Sequence, residues 1–270
     1  MAFQRELSVA LAAAREAGAI IRRHYDGGTR IWEKGEGDPV SLADLEADEA
    51  IGRQLRTAFP DDAILSEESE ADGGRLGRAR VWIVDPMDGT KEFARRIPEF
   101  AVSIALVESE RPVVGVVYNP IADVCVWATH GGGTFRDGER VRISQCTRLE
   151  DAVVVASRSE IERGEFDRFS GWFGGLRPVG SIAWKLACIA SGDGDFNVSV
   201  APKNEWDVCA GDLLVREAGG IYADFDGSPR RYNQAEVGIR AGMGAGPRAL
   251  VAAFNARQRT RSRERSVSDR

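Results

Sequence analysis

Apolar and polar positions near the start of the chain follow a helical period. Apolar side chains recur at spacings of three and four over residues 3–25, which predicts an amphipathic helix that ends at Asp26-Gly27-Gly28. A second helix is predicted from Ser41, which can cap it, to about Phe59. Between the two helices we expect a short strand at residues 31–32 and a flexible loop over residues 34–44.

The middle of the chain consists of apolar runs of strand length. These runs are partly β-branched and are separated by polar turns, so they predict neighbouring strands; they cover residues 63–65, 81–84, 100–107, 113–118, 124–129 and 133–143. The glycines at 131–133 resemble a phosphate-binding loop, but no helix follows them. A hairpin turn is therefore the better interpretation.

Helical and strand patterns alternate after residue 150. Extended segments are predicted at 152–156, 176–178, 195–200, 221–223 and 236–239, and helices at 160–172, 180–191, 205–218 and 247–257. This change predicts two subdomains around one site, an N-terminal α+β subdomain over residues 1–150 and a C-terminal α/β subdomain over residues 151–258. Residues 259–270 are rich in Arg and Ser and are predicted to form a disordered basic tail.

The segment from Val81 to Phe93 contains the strongest candidate site. Its apolar half predicts a buried strand that Asp85 ends, and Asp88 follows three residues later. Two carboxylates at the end of a strand supply the oxygen ligands that Mg²⁺ or Mn²⁺ prefers. The turn after Asp88 would direct backbone N–H groups outward, where a phosphate can bind. One segment can therefore hold a metal and the anion that it activates.

Two other interpretations of these aspartates compete with a metal site. Asp-Pro and Asp-Gly pairs often mark only a turn. A haloacid dehalogenase-type phosphatase also has Asp-Gly-Thr in its nucleophile motif, but its two aspartates lie two residues apart after a strand near the start of the chain. Asp85 and Asp88 are three residues apart and lie well inside the chain, which argues against an aspartyl-phosphate enzyme.

Composition restricts the chemistry further. The chain is 43% hydrophobic and 29% charged, as is usual for a soluble globular protein. Two histidines are too few for a histidine-rich zinc site, so a metal would need carboxylate ligands. The four cysteines have no Cys-x-x-Cys spacing. With no signal peptide and no apolar run of membrane-spanning length, they predict reduced thiols in a cytoplasmic protein.

The net charge of −6 is unevenly distributed. Residues 257–270 contain six arginines and two acidic residues, so the rest of the chain is more acidic than the total indicates. An acidic body does not favour a nucleic-acid surface. The arginine-rich tail leaves one hypothesis of RNA binding, although a solvated tail is the simpler interpretation.

Three further acidic residues occur where the predicted elements would place functional groups. Glu67 follows a strand, Asp44 lies in the first turn of a helix, and Asp207 lies in an otherwise apolar helix. Glu67 and Glu68 can be a solvated pair, and Asp44 can interact only with the helix dipole. Asp207 is the most unusual, because a carboxylate between apolar neighbours is expected to be buried and to need a partner or a metal.

With these residues, the chain resembles the inositol monophosphatase superfamily of metal-dependent, lithium-sensitive phosphatases. The resemblance covers about residues 5–255 and depends on four motifs in the family's order: Lys34…Asp44, Ser66-Glu-Glu-Ser69, Trp82-Ile-Val-Asp-Pro-Met-Asp-Gly-Thr90 and Gly180-Ser181…Trp206-Asp207. It implies an α/β fold, the layered αβαβα sandwich of the inositol monophosphatase and fructose-1,6-bisphosphatase type, and commonly a homodimer. It also implies an enzyme for a small-molecule phosphate ester, without nucleic-acid or membrane partners.

The resemblance implies that the acidic residues bind two or three Mg²⁺ ions, with Mn²⁺ as an alternative. Glu67, Asp85 and the Met87 carbonyl would hold the first ion. Asp85, Asp88 and Asp207 would hold the second. Two ions about 4 Å apart can neutralise the charge that develops on the attacking and leaving oxygens of a phosphate ester.

The remaining roles concern water and phosphate. Glu67 and Asp44 would hold a third, weaker ion through water. Thr90, hydrogen-bonded to Asp44, would orient the attacking water, and either Glu67 or the Thr90–Asp44 pair would take up its proton. The resemblance implies that the phosphate is held by backbone N–H groups of Gly89, Thr90, Gly180 and Ser181.

Residues after the central motif bear on which ester is hydrolysed. Lys91-Glu92-Phe93 and residues 202–207 resemble the 3′(2′),5′-bisphosphate nucleotidases, which remove the 3′-phosphate from 3′-phosphoadenosine 5′-phosphate. A lysine near the site would suit a doubly phosphorylated substrate, although Lys91 can equally be solvated. The spacing after Gly180 is instead that of the inositol phosphatases. The expected substrate-binding residues are Asp88, Gly89, Thr90, Lys91, Gly180, Ser181, Lys185, Glu205 and Asp207.

The bisphosphate nucleotide is the favoured substrate. Inositol monophosphate and histidinol phosphate are alternatives that would be hydrolysed by the same mechanism. A non-catalytic protein that binds a phosphate ligand on the same fold is a further alternative, and the intact set of acidic residues argues against it.

Overall fold

The structure arranges the apolar patterns of the chain in helical layers and two main sheets. The computed structural model describes residues 3–35, 38–68, 73–225, 228–239 and 242–268. The helices of these residues are α1 (Gln4–Gly27), α2 (Leu42–Ala58), α3 (Thr90–Ala94), α4 (Arg158–Glu162), α5 (Ile182–Ala190), α6 (Glu205–Glu217) and α7 (Arg248–Ser268).

The strands form two larger sheets and two short pairs. In chain order they are β1 (Ile31–Gly35), β2 (Asp38–Ser41), β3 (Ala63–Ser66), β4 (Arg80–Asp88), β5 (Ala101–Glu108), β6 (Arg111–Asn119), β7 (Val124–Thr129), β8 (Gly133–Arg136), β9 (Glu139–Val141), β10 (Val153–Ser157), β11 (Gly175–Val179), β12 (Phe196–Ser199), β13 (Lys203–Asn204), β14 (Ile221–Asp224), β15 (Gly238–Ile239) and β16 (Met243–Gly246). Strands β3 to β9 form a seven-stranded sheet in chain order, and the five-stranded sheet has the order β11-β10-β12-β16-β14. β1 pairs with β2, and β13 pairs with β15.

Strand β4 shows why the seven-stranded sheet is buried on both faces. Successive side chains of a strand point to opposite faces, and every position from Val81 to Val84 is apolar. Val81 and Ile83 belong to the core cluster that contains α5 and α6. Trp82 and Val84 belong to the cluster that contains α1 and α2. An apolar run without alternation therefore fits a strand between two helical layers.

The five-stranded sheet is covered on both faces in the same way. Val155 and Met243 pack into the cluster with α5 and α6, whereas Val154 and Phe196 pack with Phe254 of α7. The layers are therefore α1 with α2, the seven-stranded sheet, α5 with α6, the five-stranded sheet, and α7. This order confirms the predicted layered αβαβα sandwich.

The predicted boundary near residue 150 falls between the strands of the two sheets, because β9 ends at Val141 and β10 begins at Val153. Helix α6, which comes after this boundary, nevertheless packs on β4, β5 and β6 of the first sheet. The division into subdomains 1–150 and 151–258 remains a prediction.

Strand β4 is longer than its apolar run predicted. It continues past Asp85 to Asp88, and its register with β5 shifts between these two residues. Pro86 has no N–H to donate to the ladder. The strand accommodates the proline with the register shift, and both aspartates remain part of the strand.

Other differences arise where tertiary contacts outweigh local pattern. The helix predicted over residues 160–172 is reduced to α4 and a 3₁₀ turn at Asp167–Phe169, because the chain turns at Gly164 with φ of +72°. β16 was not predicted, since Met-Gly-Ala-Gly has little strand preference, and pairing with β12 and β14 holds it in place.

Two segments that were predicted to be irregular contain regular secondary structure. The flexible loop expected over residues 34–44 contains the β1–β2 hairpin, and residues 36–37 lie outside the described residues. Helix α7 passes its predicted end at 257 and reaches Ser268, because residues 248–268 contain no Gly or Pro. The disordered tail expected from residue 259 is therefore helical as far as the structure describes it. No helix among the described residues has both the length and the apolar composition needed to cross a membrane.

The contact between β6 and α6 depends on Gly115. A Cβ atom at Gly115 would lie 2.9 Å from the Ala210 carbonyl oxygen, and neither backbone can move away easily in a packed core. We expect Gly115→Ala to lower the free energy of unfolding by about 1–3 kcal/mol. The matched control is Gly175→Ala, where a Cβ would meet nothing within 4 Å and stability should change by less than about 0.5 kcal/mol. Urea denaturation measures both variants, and equal stabilities would contradict the close approach at Gly115.

Candidate active site

A cavity of about 360 Å³ lies at the carboxyl end of β4. The end of β4 and the start of α3 form part of its wall, and the rest comes from β2, from the residue after β3 and from segments between residues 157 and 207. Ten of the predicted site residues line it: Glu67, Asp85, Met87, Asp88, Gly89, Thr90, Lys91, Ser181, Lys185 and Asp207.

Asp85 is almost completely buried, with 1% of its surface exposed. Its Oδ1 accepts a hydrogen bond from the Met87 N–H at 3.0 Å. Burial raises the pKa of Asp85 well above its usual range, and the negative charges of Glu67, Asp88 and Asp207 raise it further. These carboxylates are therefore close enough to repel one another, and a cation among them would be stabilised.

Asp88 is held by the start of α5. Its Oδ2 accepts hydrogen bonds from the Ser181 hydroxyl and the Ala183 N–H, both at 2.6 Å. Ser181 has φ of +52°, which residues with a side chain rarely adopt. Its hydroxyl oxygen also accepts from the Trp184 N–H at 3.0 Å and so caps α5. Burial raises the pKa of Asp88, whereas the hydrogen bonds and the charge of Lys185 lower it.

Asp44 joins the site through Thr90. The Thr90 hydroxyl oxygen lies 3.0 Å from Asp44 Oδ1 and 3.2 Å from the Met87 carbonyl oxygen. Asp44 Oδ2 accepts from the Ser41 N–H at 2.8 Å and from the Ser41 hydroxyl at 2.6 Å, in a capping box at the start of α2. Burial raises the pKa of Asp44 to about 6, although the Ser41 hydrogen bonds oppose the shift. The predicted Thr90–Asp44 hydrogen bond is thus present.

Glu67 and Asp207 reach the cavity from two other elements. Glu67 directly follows β3, which is parallel to β4, and its N–H donates to the Val84 carbonyl at 3.2 Å. Asp207 lies in the first turn of α6, and its Oδ2 accepts from the Asn204 N–H at 2.8 Å. Asp207 therefore caps α6 and lines the cavity at the same time.

The acidic residues of the cavity fit a hard divalent cation. Carboxylate and carbonyl oxygens are the ligands that Mg²⁺ takes in proteins, and the cavity is lined by neither histidine nor cysteine among the described residues. In the part of the chain that the structure describes, no three His, Cys, Asp or Glu side chains stand close enough to enclose an ion. A bound ion would offset the repulsion between these carboxylates.

Two predicted substrate-binding residues are engaged elsewhere. The Glu205 carboxylate accepts from the N–H groups of Asn233 at 2.6 Å and Gln234 at 2.9 Å, and burial raises its pKa to about 7. The Gly180 N–H donates to Glu99 Oε2 at 2.7 Å. Neither residue lines the cavity. These placements differ from the expectation because each group already has a partner within the protein.

The structure also shows a basic wall, which we define as Arg163, Lys185 and Lys203. Only Lys185 was among the predicted site residues. Lys203 lies in the segment noted for Asp207, so its proximity to the site could have been predicted. The sequence around Arg163 gave no comparable signal, because Arg163 comes close to the acidic residues only in the folded protein.

Comparisons with known proteins identify relatives of this chain. The family model described as the inositol monophosphatase family matches residues 3–261. An inositol-1-monophosphatase of Mesorhizobium japonicum is 37% identical over 242 residues, which are 86% of this chain and 90% of that protein. The Nus factor SuhB of Salmonella typhimurium is 36% identical over 234 residues, 82% of this chain and 85% of that protein. A solved Thermotoga maritima IMPase superposes with a TM-score of 0.81 at 30% identity, covering 93% of this chain and 95% of its own.

Ser41 supports both α2 and the Asp44 carboxylate. Its hydroxyl accepts from the Ala43 N–H at 3.1 Å and donates to Asp44. We expect Ser41→Ala to lower the free energy of unfolding by about 1–2 kcal/mol, because it removes a buried cap and leaves Asp44 with one donor fewer. Ser8→Ala, at an exposed position of α1, is the control and should change stability by less than about 0.5 kcal/mol. Urea denaturation measures the free energy of unfolding of both variants. Similar values for Ser41→Ala and Ser8→Ala would show that the capping box does not hold Asp44.

Proposed function

Because this chain belongs to the inositol monophosphatase family, whose members are metal-dependent phosphoric monoester hydrolases, we propose that it hydrolyses a small-molecule phosphate ester with water activated by Mg²⁺. The observation that carries the proposal is that four acidic residues from three separate parts of the chain line one cavity: Glu67, Asp85, Asp88 and Asp207.

We propose that these residues hold two Mg²⁺ ions. Glu67, Asp85 and the Met87 carbonyl would bind one, and Asp85, Asp88 and Asp207 would bind the other; a third ion would be held through water by Glu67 and Asp44. Bound Mg²⁺ would lower the pKa of a coordinated water and offset the negative charge of the phosphoryl oxygens.

The Thr90–Asp44 pair is positioned to direct a water molecule. Asp44 accepts the Thr90 hydroxyl at 3.0 Å, which leaves the hydroxyl oxygen free to accept a hydrogen bond from water. Because Ser41 holds the other carboxylate oxygen, the pair has a fixed orientation. Either this pair or Glu67 would take up the proton of the attacking water.

The phosphate of the ester would lie beside the start of α3. Gly89 and Thr90 begin this helix and line the cavity, and the first N–H groups of a helix have no partner within it. Ser181 and Lys91 also line the cavity. We propose that these groups orient the phosphate.

Three phosphate esters are candidates for the substrate. Residues 91–93 favour a 3′(2′),5′-bisphosphate nucleotide such as 3′-phosphoadenosine 5′-phosphate. The names of the related proteins favour inositol monophosphate instead, and histidinol phosphate is a third candidate. Lithium sensitivity and a homodimer remain predictions from the family resemblance, and a cytoplasmic location remains a prediction from the cysteine pattern.

Removing one negative charge from the acidic residues of the cavity should strongly impair catalysis. We expect Asp88→Asn and Asp207→Asn each to lower kcat/KM by at least about 100-fold, because an amide keeps the shape of the carboxylate but loses its charge. Asp151→Asn is the control, since its side chain is 64% exposed and pairs with Arg148. Phosphate release with Mg²⁺ measures turnover, and circular dichroism checks the fold. Wild-type turnover in both site variants would refute the proposed function.

Chelation separates an enzyme from a non-catalytic binding protein on the same fold. We expect EDTA to abolish phosphate release and added Mg²⁺ to restore it, because the proposed mechanism needs Mg²⁺ to activate the attacking water. A protein that binds phosphate esters with Mg²⁺ but releases no phosphate from any of them would support the non-catalytic alternative.

Parallel turnover measurements identify the ester. We expect 3′-phosphoadenosine 5′-phosphate to have a higher kcat/KM than inositol 1-phosphate or histidinol phosphate. A preference for inositol 1-phosphate would contradict the nucleotide assignment and leave the phosphomonoesterase proposal intact.

A further inference from the structure

One side chain beside the seven-stranded sheet holds the connections of the second sheet. Glu99 lies between α3 and β5. Its Oε2 accepts a hydrogen bond from the Gly180 N–H at 2.7 Å and another from Arg158 Nη2 at 2.8 Å. Arg158 begins α4 and also donates to the Pro178 carbonyl of β11 at 3.3 Å. The Glu99 carboxylate therefore ties α4, β11 and the residues before α5 to the first sheet.

The segment that contains Glu99 is anchored in the core. Phe100 is completely buried, and the centroid of its ring lies 5.4 Å from that of Phe93 in α3. On the other side, the Pro98 carbonyl accepts a hydrogen bond from Asn119 Nδ2 at 3.0 Å. Because both neighbours of Glu99 are fixed, its carboxylate is attached to a rigid part of the protein.

The backbone of Glu99 also packs against two helix starts at the cavity. A Cβ atom at Gly180 would lie 2.8 Å from the Glu99 carbonyl oxygen, and a Cβ atom at Gly89 would lie 3.1 Å from it. The two glycines therefore allow Glu99 to lie close to the start of α3 and to the residue before the N-cap of α5. Both the side chain and the backbone of Glu99 thus contact the entry to α5.

The residues after Gly180 contact a proposed metal ligand. Ser181 has φ of +52°, and its hydroxyl donates to Asp88 Oδ2 at 2.6 Å. The Ala183 N–H donates to the same oxygen at 2.6 Å. A residue with a side chain keeps such a backbone conformation only when its surroundings hold it there. The hydrogen bond from Gly180 to Glu99 supplies this support directly before Ser181.

We propose that Glu99 is a positioning residue for Asp88. By holding Gly180 and Arg158, it keeps the start of α5 against Asp88 and so orients this carboxylate for Mg²⁺. The inference rests on the proposed function, in which Asp88 is a metal ligand. Glu99 itself does not line the cavity, so its effect on the ion passes through α5. Loss of a residue that orients a metal ligand commonly costs about 10- to 100-fold in metal affinity or activity.

Mg²⁺ binding to the ester-free protein tests this role. We expect Glu99→Ala to raise the Kd for Mg²⁺ about tenfold in isothermal titration calorimetry, because the start of α5 loses its support. The Mg²⁺ concentration for half-maximal phosphate release should rise by a similar factor. Glu99→Gln should stay within about threefold of the wild-type Kd, since its amide oxygen can still accept the Gly180 N–H.

The matched control is Glu162→Ala. Glu162 belongs to α4 and pairs at 3.5 Å with Arg95, the residue after α3, so this ion pair joins the same two regions as Glu99 and Arg158. The Glu162 side chain is 56% exposed and does not line the cavity. Its removal should leave the Kd for Mg²⁺ within about twofold of wild type. Equal increases in Glu99→Ala and Glu162→Ala would overturn the inference.

A double variant shows whether Glu99 acts through the start of α5. Ser181→Ala removes one of the hydrogen bonds to Asp88 Oδ2. If both residues act on the same carboxylate, the increases in Kd of the two single variants should not multiply when Glu99→Ala and Ser181→Ala are combined. An increase equal to their product would show that Glu99 acts independently of Ser181, and the positioning role would be wrong.

The outcomes distinguish the inference from the proposed function. A wild-type Kd and wild-type turnover in Glu99→Ala would overturn the positioning role and leave the phosphatase in place. A lower free energy of unfolding in urea with an unchanged Kd would overturn it as well, since Glu99 would then serve only the fold. A wild-type protein that neither binds Mg²⁺ nor releases phosphate from any ester would refute the proposed function and the inference with it.

Discussion

The structure depends on holding like charges together inside the protein. The carboxylates of Asp85 and Asp88 repel one another when both are ionised. Asp85 is almost completely removed from water, and an uncompensated buried charge costs several kcal/mol. The fold meets this cost with donors built into its own elements: the Met87 N–H, the Ser181 hydroxyl and the Ala183 N–H. A divalent cation would remove the remaining repulsion.

The layered architecture prevents these carboxylates from escaping to solvent. Strand β4 is packed on one face against α1 and α2 and on the other against α5 and α6. Its end can therefore neither tilt nor slide without disturbing two cores. The register shift around Pro86 keeps both aspartates in the strand, and Ser181 adopts an uncommon backbone conformation to reach one of them. Strain at such a position is common where a structure serves a chemical function.

Much of the fold and the acidic part of the site could be predicted from the sequence. Apolar runs located the central strands, and the capping pattern of Ser41 and Asp44 located α2, because these signals are local. β16 could not be predicted, since its small residues form a strand only through two neighbouring strands. The same limit applies to Glu205 and Gly180, whose partners lie far away in the sequence. Lys203 and Arg163 meet Lys185 only in the folded protein.

Helices α2 and α6 begin in the same manner, with an aspartate in the third position that accepts the N–H of the residue before the helix. In both cases that aspartate, Asp44 or Asp207, also belongs to the candidate site. The two carboxylates are thus placed as soon as their helices form, before any ion or ester arrives. One consequence is that a substitution of Asp44 or Asp207 would alter helix initiation as well as the site, so that stability and chemistry are coupled at these two positions.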